Sequence, residues 1–295
     1  MIRAALLLAT LYALPLAAQA PPMRIDHERV RPRVHVFSGF LNGNVLVLET
    51  NDGLLIVDAQ SGKRVGALDS AITNVTKAPV RWVVNTHYHA DHTEGNAWFR
   101  ARGARVLAHR NVAIQAAKDT TITDRDWHRT PLADSATPTD AFDDRRELKI
   151  GGERVVVLHP RDAHTDGDAM IWLPAQNVLH IGDILEVGAP PFIDWWAGGS
   201  LEGMVRAIDD VLGWVDASTA IVPGHGPTST RDDLVRYRAM LVTVSERVRT
   251  GIASGVASDS LAERAVAGFE SLLGGTRRAS ELSRQLIYGF SKGRK

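Results

Sequence analysis

The sequence predicts an α/β protein in which two β-sheets pack together with helices on the outside. Three observations carry this. Short apolar, often β-branched runs alternate with amphipathic stretches along most of the chain. The second half repeats the grammar of the first, strands followed by helices, as two packed layers with outer helices require. The chain has 295 residues, 44% of them hydrophobic and 23% charged, which suits a soluble domain with a sizeable core.

The elements begin after a segment that stands outside the fold. Arg3 supplies a positive start, Ala4–Ala18 is an almost unbroken apolar run, and Ala18-Gln19-Ala20 has the small-x-small form of a signal-peptidase site. The run is too short to span a bilayer comfortably. Pro21 directly after Ala20 leaves the exact cut open. Residues 1–20 are therefore expected to be a cleaved signal peptide, with export to a periplasm or the exterior and no stable membrane anchor. Val34–Ser38, Val45–Glu49 and Leu54–Asp58 read as three strands of an antiparallel meander, punctuated by Asn-Gly and Asn-Asp-Gly. Lys63–Val75 reads as a helix, Val80–Asn85 as a strand, Gly95–Arg102 as a helix and Arg105–Ala108 as a strand. Thr120–Asp144 is polar, carries Pro131 and Pro138, and reads as a long loop.

In the second half Arg154–His159, Ala169–Leu173, Val178–Ile181 and Ala220–Val222 read as strands. Leu201–Val215, Asp232–Val248, Leu261–Leu273 and Glu281–Phe290 read as helices, the third opened by Ser260-x-x-Glu263. The division expected is one domain over 21–250 with a C-terminal helical extension, 251–295, packed on it. That extension caps the fold or pairs with a second subunit.

Charge and cysteine content exclude several functions. Lys plus Arg number 34 against 34 Asp plus Glu, so nothing draws the chain toward nucleic acid or an anionic membrane. With no cysteine there is no disulfide, thiolate nucleophile, zinc finger or iron–sulfur cluster.

The informative segment is Thr86-His87-Tyr88-His89-Ala90-Asp91-His92, directly after the strand Val80–Asn85. His87 and His89 are two apart, so an extended backbone turns both imidazoles to one side. Asp91 and His92 follow where the chain turns toward a helix, which re-aims the second pair and lets the four serve two adjacent metal sites. Neutral imidazole with carboxylate suits zinc, and also iron or manganese. By residue frequency, a chance match to this pattern is on the order of 10⁻⁴ per chain.

The segment resembles the signature of the metallo-β-lactamase fold superfamily, and the resemblance runs from about Val34 to about Arg238. Asp162-Ala163-His164-Thr165-Asp166-Gly167-Asp168 looks like the segment giving a third histidine. Ile181-Gly182-Asp183 looks like the Gly-Asp that bridges two metals in non-lactamase members, and Pro223-Gly224-His225-Gly226 like the last Gly-His. The resemblance implies an αββα sandwich holding two zinc ions. His87, His89 and His164 would bind the first, Asp91, His92 and His225 the second, with Asp183 shared. Such a pair of cations lowers the pKa of a water held between them toward neutrality and polarises the oxygen of an electrophile. Asp91 could also orient that water and carry its proton. Asp58 could hydrogen-bond near the metal loop.

Departures from the pattern narrow the activity. The best-known lactamases carry a cysteine ligand where Asp183 stands, and a lysine three residues on, where this chain has Glu186. The stretch Leu185–Trp196 lacks the residues that follow the bridging Asp in glyoxalase II-like members. Glu94 stands where many members have Gly. Trp195 and Trp196, in a Gly/Pro-rich loop beside a ligand, are candidates for an apolar substrate wall or for packing under the outer helices. His27, His35, His109, His128, His159 and His180 match no motif and are expected to be structural or on the surface. The expected activity is hydrolysis of a small-molecule ester, lactone, amide or β-lactam. The alternatives are a phosphodiesterase of the same fold, or a non-hydrolytic metal-binding accessory of a periplasmic redox system.

Overall fold

A computed structural model describes residues 24–39, 42–123 and 126–294, so the expected signal peptide lies outside the described residues. The order is β1 (Asp26–Arg31), β2 (Val34–Gly39), β3 (Asn42–Thr50), β4 (Gly53–Val57), α1 (Val65–Val75), β5 (Val80–Val84), α2 (Ala90–Thr93), α3 (Asn96–Arg100), β6 (Arg105–His109) and α4 (Arg110–Ala116). It continues with β7 (Thr120–Ile122), β8 (Trp127–Arg129), β9 (Asp140–Phe142), β10 (Arg145–Ile150), β11 (Glu153–Leu158), β12 (Met170–Leu173) and β13 (Val178–Glu186). The chain closes with α5 (Leu201–Leu212), β14 (Ala220–His225), α6 (Arg231–Ala253), α7 (Ser258–Ala265) and α8 (Thr276–Ser291).

Two sheets form the centre: β1-β2-β3-β4-β5-β6-β9 and β10-β11-β12-β13-β14. Side chains that alternate along a strand feed different layers. Leu46 and Leu48 of β3 and Leu55 and Val57 of β4 face the second sheet, where they meet Val155, Val157 and Ile171. Val45, Val47, Leu54 and Ile56 face the other way, onto Leu68 and Ile72 of α1 and Phe99 of α3. On the far side Leu179, Ile181 and Ile221 meet Met204 and Ile208 of α5, Leu241 and Val244 of α6, and Leu282 and Leu286 of α8. The layers are thus helix, sheet, sheet, helix.

Strand direction places the site. The first sheet is antiparallel through β4, then β4, β5, β6 and β9 run parallel, and β13 and β14 form a parallel pair in the second. Chain ends of parallel strands gather on one edge, where layered α/β folds collect their sites. Asp58, the His87 loop, Asp183 and His225 all follow or close such strands.

Several expectations need correction. Thr120–Asp144 is not one loop: it holds the hairpin β7–β8, a separate two-stranded sheet, and β9 at the sheet edge. Strands β1 and β10 escaped the sequence reading because their burial pattern is mostly exposed, so charged residues hide the alternation. The third predicted helix starts earlier, with Ala257 rather than Ser260 as its cap, and stops at Ala265. Gly268 beyond it has a φ of +88°, which ends regular helix. Among the described residues no helix is long and apolar enough to cross a membrane.

Candidate metal centre

The structure brings all seven predicted residues together at this edge. His87, His89, His164 and Asp183 form one group, and Asp91, His92 and His225 a second; within each group the ligand atoms lie within 4.8 Å of one another. Asp183 faces both. Its Oδ2 lies 3.7 Å from His87 Nε2, 3.8 Å from His164 Nε2 and 3.4 Å from His225 Nε2, and its Oδ1 lies 3.4 Å from His92 Nε2. Two glycines make the approach possible. A Cβ on Gly224 would sit 1.8 Å from Asp183 Oδ1, and one on Gly43 2.4 Å from the His92 ring.

Hydrogen bonds behind the rings determine which nitrogens face inward. Asp58 is fully buried and accepts from Thr86 N (2.7 Å), Thr86 Oγ1 (2.7 Å) and His92 Nδ1 (2.8 Å). The single hydroxyl proton of Thr86 goes to Asp58, so Thr86 Oγ1 accepts from His87 Nδ1, 3.0 Å away. His164 Nδ1 donates to the carbonyl of Phe192 at 2.7 Å. His89 Nε2 donates to Asp194 Oδ2 at 3.1 Å. Burial works against an ionised Asp194, but its bonds from His89 and Tyr88 prevail and hold the carboxyl at about 2.

The inward atoms of neutral rings are therefore bare lone pairs. His89 Nδ1 lies 2.9 Å from His87 Nε2 and 3.1 Å from His164 Nε2. Lone pairs at that separation repel unless a cation lies between them. Burial, then neighbouring imidazoles, hold His87 well below its usual range; His164 is held at about 4, chiefly by burial. In the second group burial again opposes charge, yet Asp183 and Asp91 draw His225 up to about 10. His92 Nε2 and Asp183 Oδ1 are buried and lack a hydrogen-bond partner. Both groups thus call for positive charge at their centre, and their donor set fits a divalent metal with nitrogen and oxygen ligands.

Two lobes of open space border the cluster. The lobe beside His89, about 590 Å³, is lined by Trp127, Arg129, Phe192, Asp91 and Glu94. The lobe beside His225, about 550 Å³, is lined by Ser38, Asn42, Asn44, Glu186 and Arg278. Glu186 is buried and accepts from Phe192 N at 2.9 Å; burial, then the charge of Asp183, pushes it up to about 8. Glu94 accepts from Gly62 N at 3.0 Å.

Trp195 and Trp196 line neither lobe. Trp195 is buried in the core against Gly289, and Trp196 stacks on Tyr288 at 6.0 Å, so both pack on α8. Of the six unmatched histidines none joins the cluster, although His128 stands on the rim of the His89 lobe. The sequence reading missed Trp127, Phe192 and Asp194. Only Asp194 had a local signal, as an acceptor-only residue in a Gly/Pro-rich loop near a ligand.

A sandwich of this topology with paired histidine–carboxylate clusters at one sheet edge defines a class of metal-dependent hydrolases. The chain belongs to the metallo-beta-lactamase superfamily, whose family model matches residues 38–225, and it is a hydrolase of that fold. It is 27% identical over 214 residues to a metallo-beta-lactamase type 2 of Bacillus cereus, covering 70% of this chain and 78% of that one. It is 23% identical over 204 residues to the metallo-beta-lactamase IND-1 of Chryseobacterium indologenes, covering 66% and 80%. Among solved structures, a metallo-beta-lactamase from Pontibacter korlensis matches with a TM-score of 0.62 and 21% identity, over 74% of this chain and 99% of that one. A double mutant of the sec-alkyl sulfatase PisA1 matches with a TM-score of 0.68 and 17% identity, over 91% of this chain and 50% of that one.

Proposed function

We propose that this chain is an exported, dinuclear zinc-dependent hydrolase acting on an ester, lactone, amide or β-lactam carbonyl. The observation that carries the reading is the convergence of imidazole nitrogens and carboxylates on two adjoining centres, with Asp183 facing both. His87, His89 and His164 would hold the first ion and Asp91, His92 and His225 the second, with Asp183 placed to serve both. Bound there, two such ions supply an activated water and a Lewis acid for the carbonyl oxygen.

The chain's own residues do the rest. Asp58, Thr86, Asp194 and the Phe192 carbonyl hold the imidazoles in one tautomer, so no reorganisation is needed when substrate arrives. Asp91 lines the cleft, with its side chain 29% open, within 3.3 Å of His225 Nε2. It is the carboxylate placed to take a proton from the attacking water and return it to the leaving group.

The lactamase relatives support β-lactam hydrolysis as one activity. Asp183 in place of a cysteine, and Glu186 in place of a lysine, put a broad hydrolase first. The leader Arg3–Ala20 supports export.

Metal analysis joined to a substrate panel tests this reading. About two zinc ions per chain are expected, with turnover of nitrocefin, a lactone or an aryl ester that His87→Ala abolishes. One iron per chain, or equal turnover in His87→Ala, overturns it, and turnover of a model phosphodiester alone moves it to a phosphodiesterase. Asp91→Asn, assayed with both ions bound, should lose roughly 10²-fold or more in kcat; normal turnover in that variant removes the proton-carrying role.

A further inference from the structure

Two aromatic rings line the lobe beside His89. Trp127, on the hairpin β7–β8, and Phe192, in the loop after β13, are both half-buried. Both face the cluster: the Trp127 ring lies 6.3 Å from that of His89, and the Phe192 ring 5.8 Å from His89 and 5.9 Å from His164. Leaving large apolar surface half open costs free energy, and aromatic rings grouped in a cleft mark a binding surface.

Both rings are held from behind. Phe192 N donates to the buried Glu186, and the Phe192 carbonyl accepts from His164. Arg129 is two residues from Trp127 on β8 and so shares its face. Its guanidinium packs over the Tyr88 ring at 4.3 Å and donates to Thr120 across the hairpin. Tyr88 in turn donates to Asp194, the carboxylate that holds His89. The hairpin is thereby seated over the first ligand group.

We infer that Trp127 and Phe192 form an apolar jaw that selects substrates with an apolar arm, free of negative charge, on the carbonyl carbon. The inference rests on the hydrolase reading above. The arm lies in the His89 lobe, because both rings line it. An anionic arm would meet Asp91, Glu94 and Asp126 there. The class of substrate is an aliphatic or arylalkyl acyl ester, lactone or amide rather than a short or anionic acyl compound.

Calorimetric binding of acetate, butyrate and hexanoate to the metal-loaded protein tests this without turnover, because each mimics the carboxylate product. Affinity should rise roughly threefold to fourfold per added methylene until the lobe is filled. Trp127→Ala should flatten that ladder while leaving acetate unchanged, and Trp127→Phe should keep most of it. A flat ladder in the unaltered protein, an unchanged ladder in Trp127→Ala, or tighter binding of adipate than of hexanoate overturns the jaw. A ladder without hydrolysis of any ester leaves the jaw standing and removes the hydrolase reading; hydrolysis without a ladder does the reverse.

Discussion

His87 and His164 are almost fully buried, and they and His89 each have the outer nitrogen tied to a hydroxyl, a carboxylate or a carbonyl. In the second group only His92 is held that way, while Asp91 and His225 keep 29% and 24% of their side chains open. The two halves therefore get their geometry from different sources. The first is pre-shaped by protein hydrogen bonds. The second takes part of its shape from contacts among its own members and from the cation it would bind. A pre-shaped site loses less entropy on binding, so under the proposed assignment the first group binds its ion more tightly and the second exchanges it more readily.

The largest effect should come from the residue that joins the halves. Asp58→Ala leaves two Thr86 donors and His92 Nδ1 without an acceptor in a fully buried position. A loss of about 3 kcal/mol or more in stability is expected by denaturant unfolding, with metal lost from both groups. Loss confined to one group would break the idea that Asp58 couples them.

Intermediate effects should separate the halves. Asp194→Asn should weaken the first ion by roughly 10–100-fold and spare the second. His225→Ala should lower metal content by about one ion, because it removes a ligand of the second group and leaves the first intact. Titration with a graded chelator reads both, and equal sensitivity of the two ions in the unaltered protein would contradict the proposed asymmetry.

The smallest effect uses imidazoles outside the cluster. His109 stacks on His159 at 3.8 Å; burial first, then the charge of His159, holds His109 at about 4. Its folded value lies below its ordinary 6.5, so the unfolded chain binds the extra proton. Stability should therefore fall as pH drops from about 6.5 toward 4, and His109→Gln should flatten that part of the melting profile. Because this pair holds no metal, the difference between His109→Gln and the unaltered protein should persist in chelator. A difference that vanishes in chelator would assign that acid loss to the metal-binding cluster instead.

Much of the site was legible because its ligands are chemically restricted and locally clustered. Few residue types bind a divalent cation, and His87, His89, Asp91 and His92 are close in sequence. Asp58 was visible as a strand-end carboxylate, though not that it accepts three hydrogen bonds. Trp127 was hidden because its partner, His89, lies far away in sequence and the hairpin that carries it sits in a stretch with turn-like composition. Trp195 and Trp196 looked equally suited to cleft or core, and only α8 packing against them decided the matter.

The sequence by itself pointed to two packed sheets, their core alternation and the local cluster His87, His89, Asp91 and His92, since periodicity and ligand chemistry are local properties; His164, Asp183 and His225 came from the resemblance to a known family. The tertiary structure alone decided which nitrogen of each imidazole faces inward, that Asp183 faces both groups, and which aromatics wall the cleft. Those features depend on distances between strand ends and loops remote in the chain, and such distances exist only once both sheets have packed.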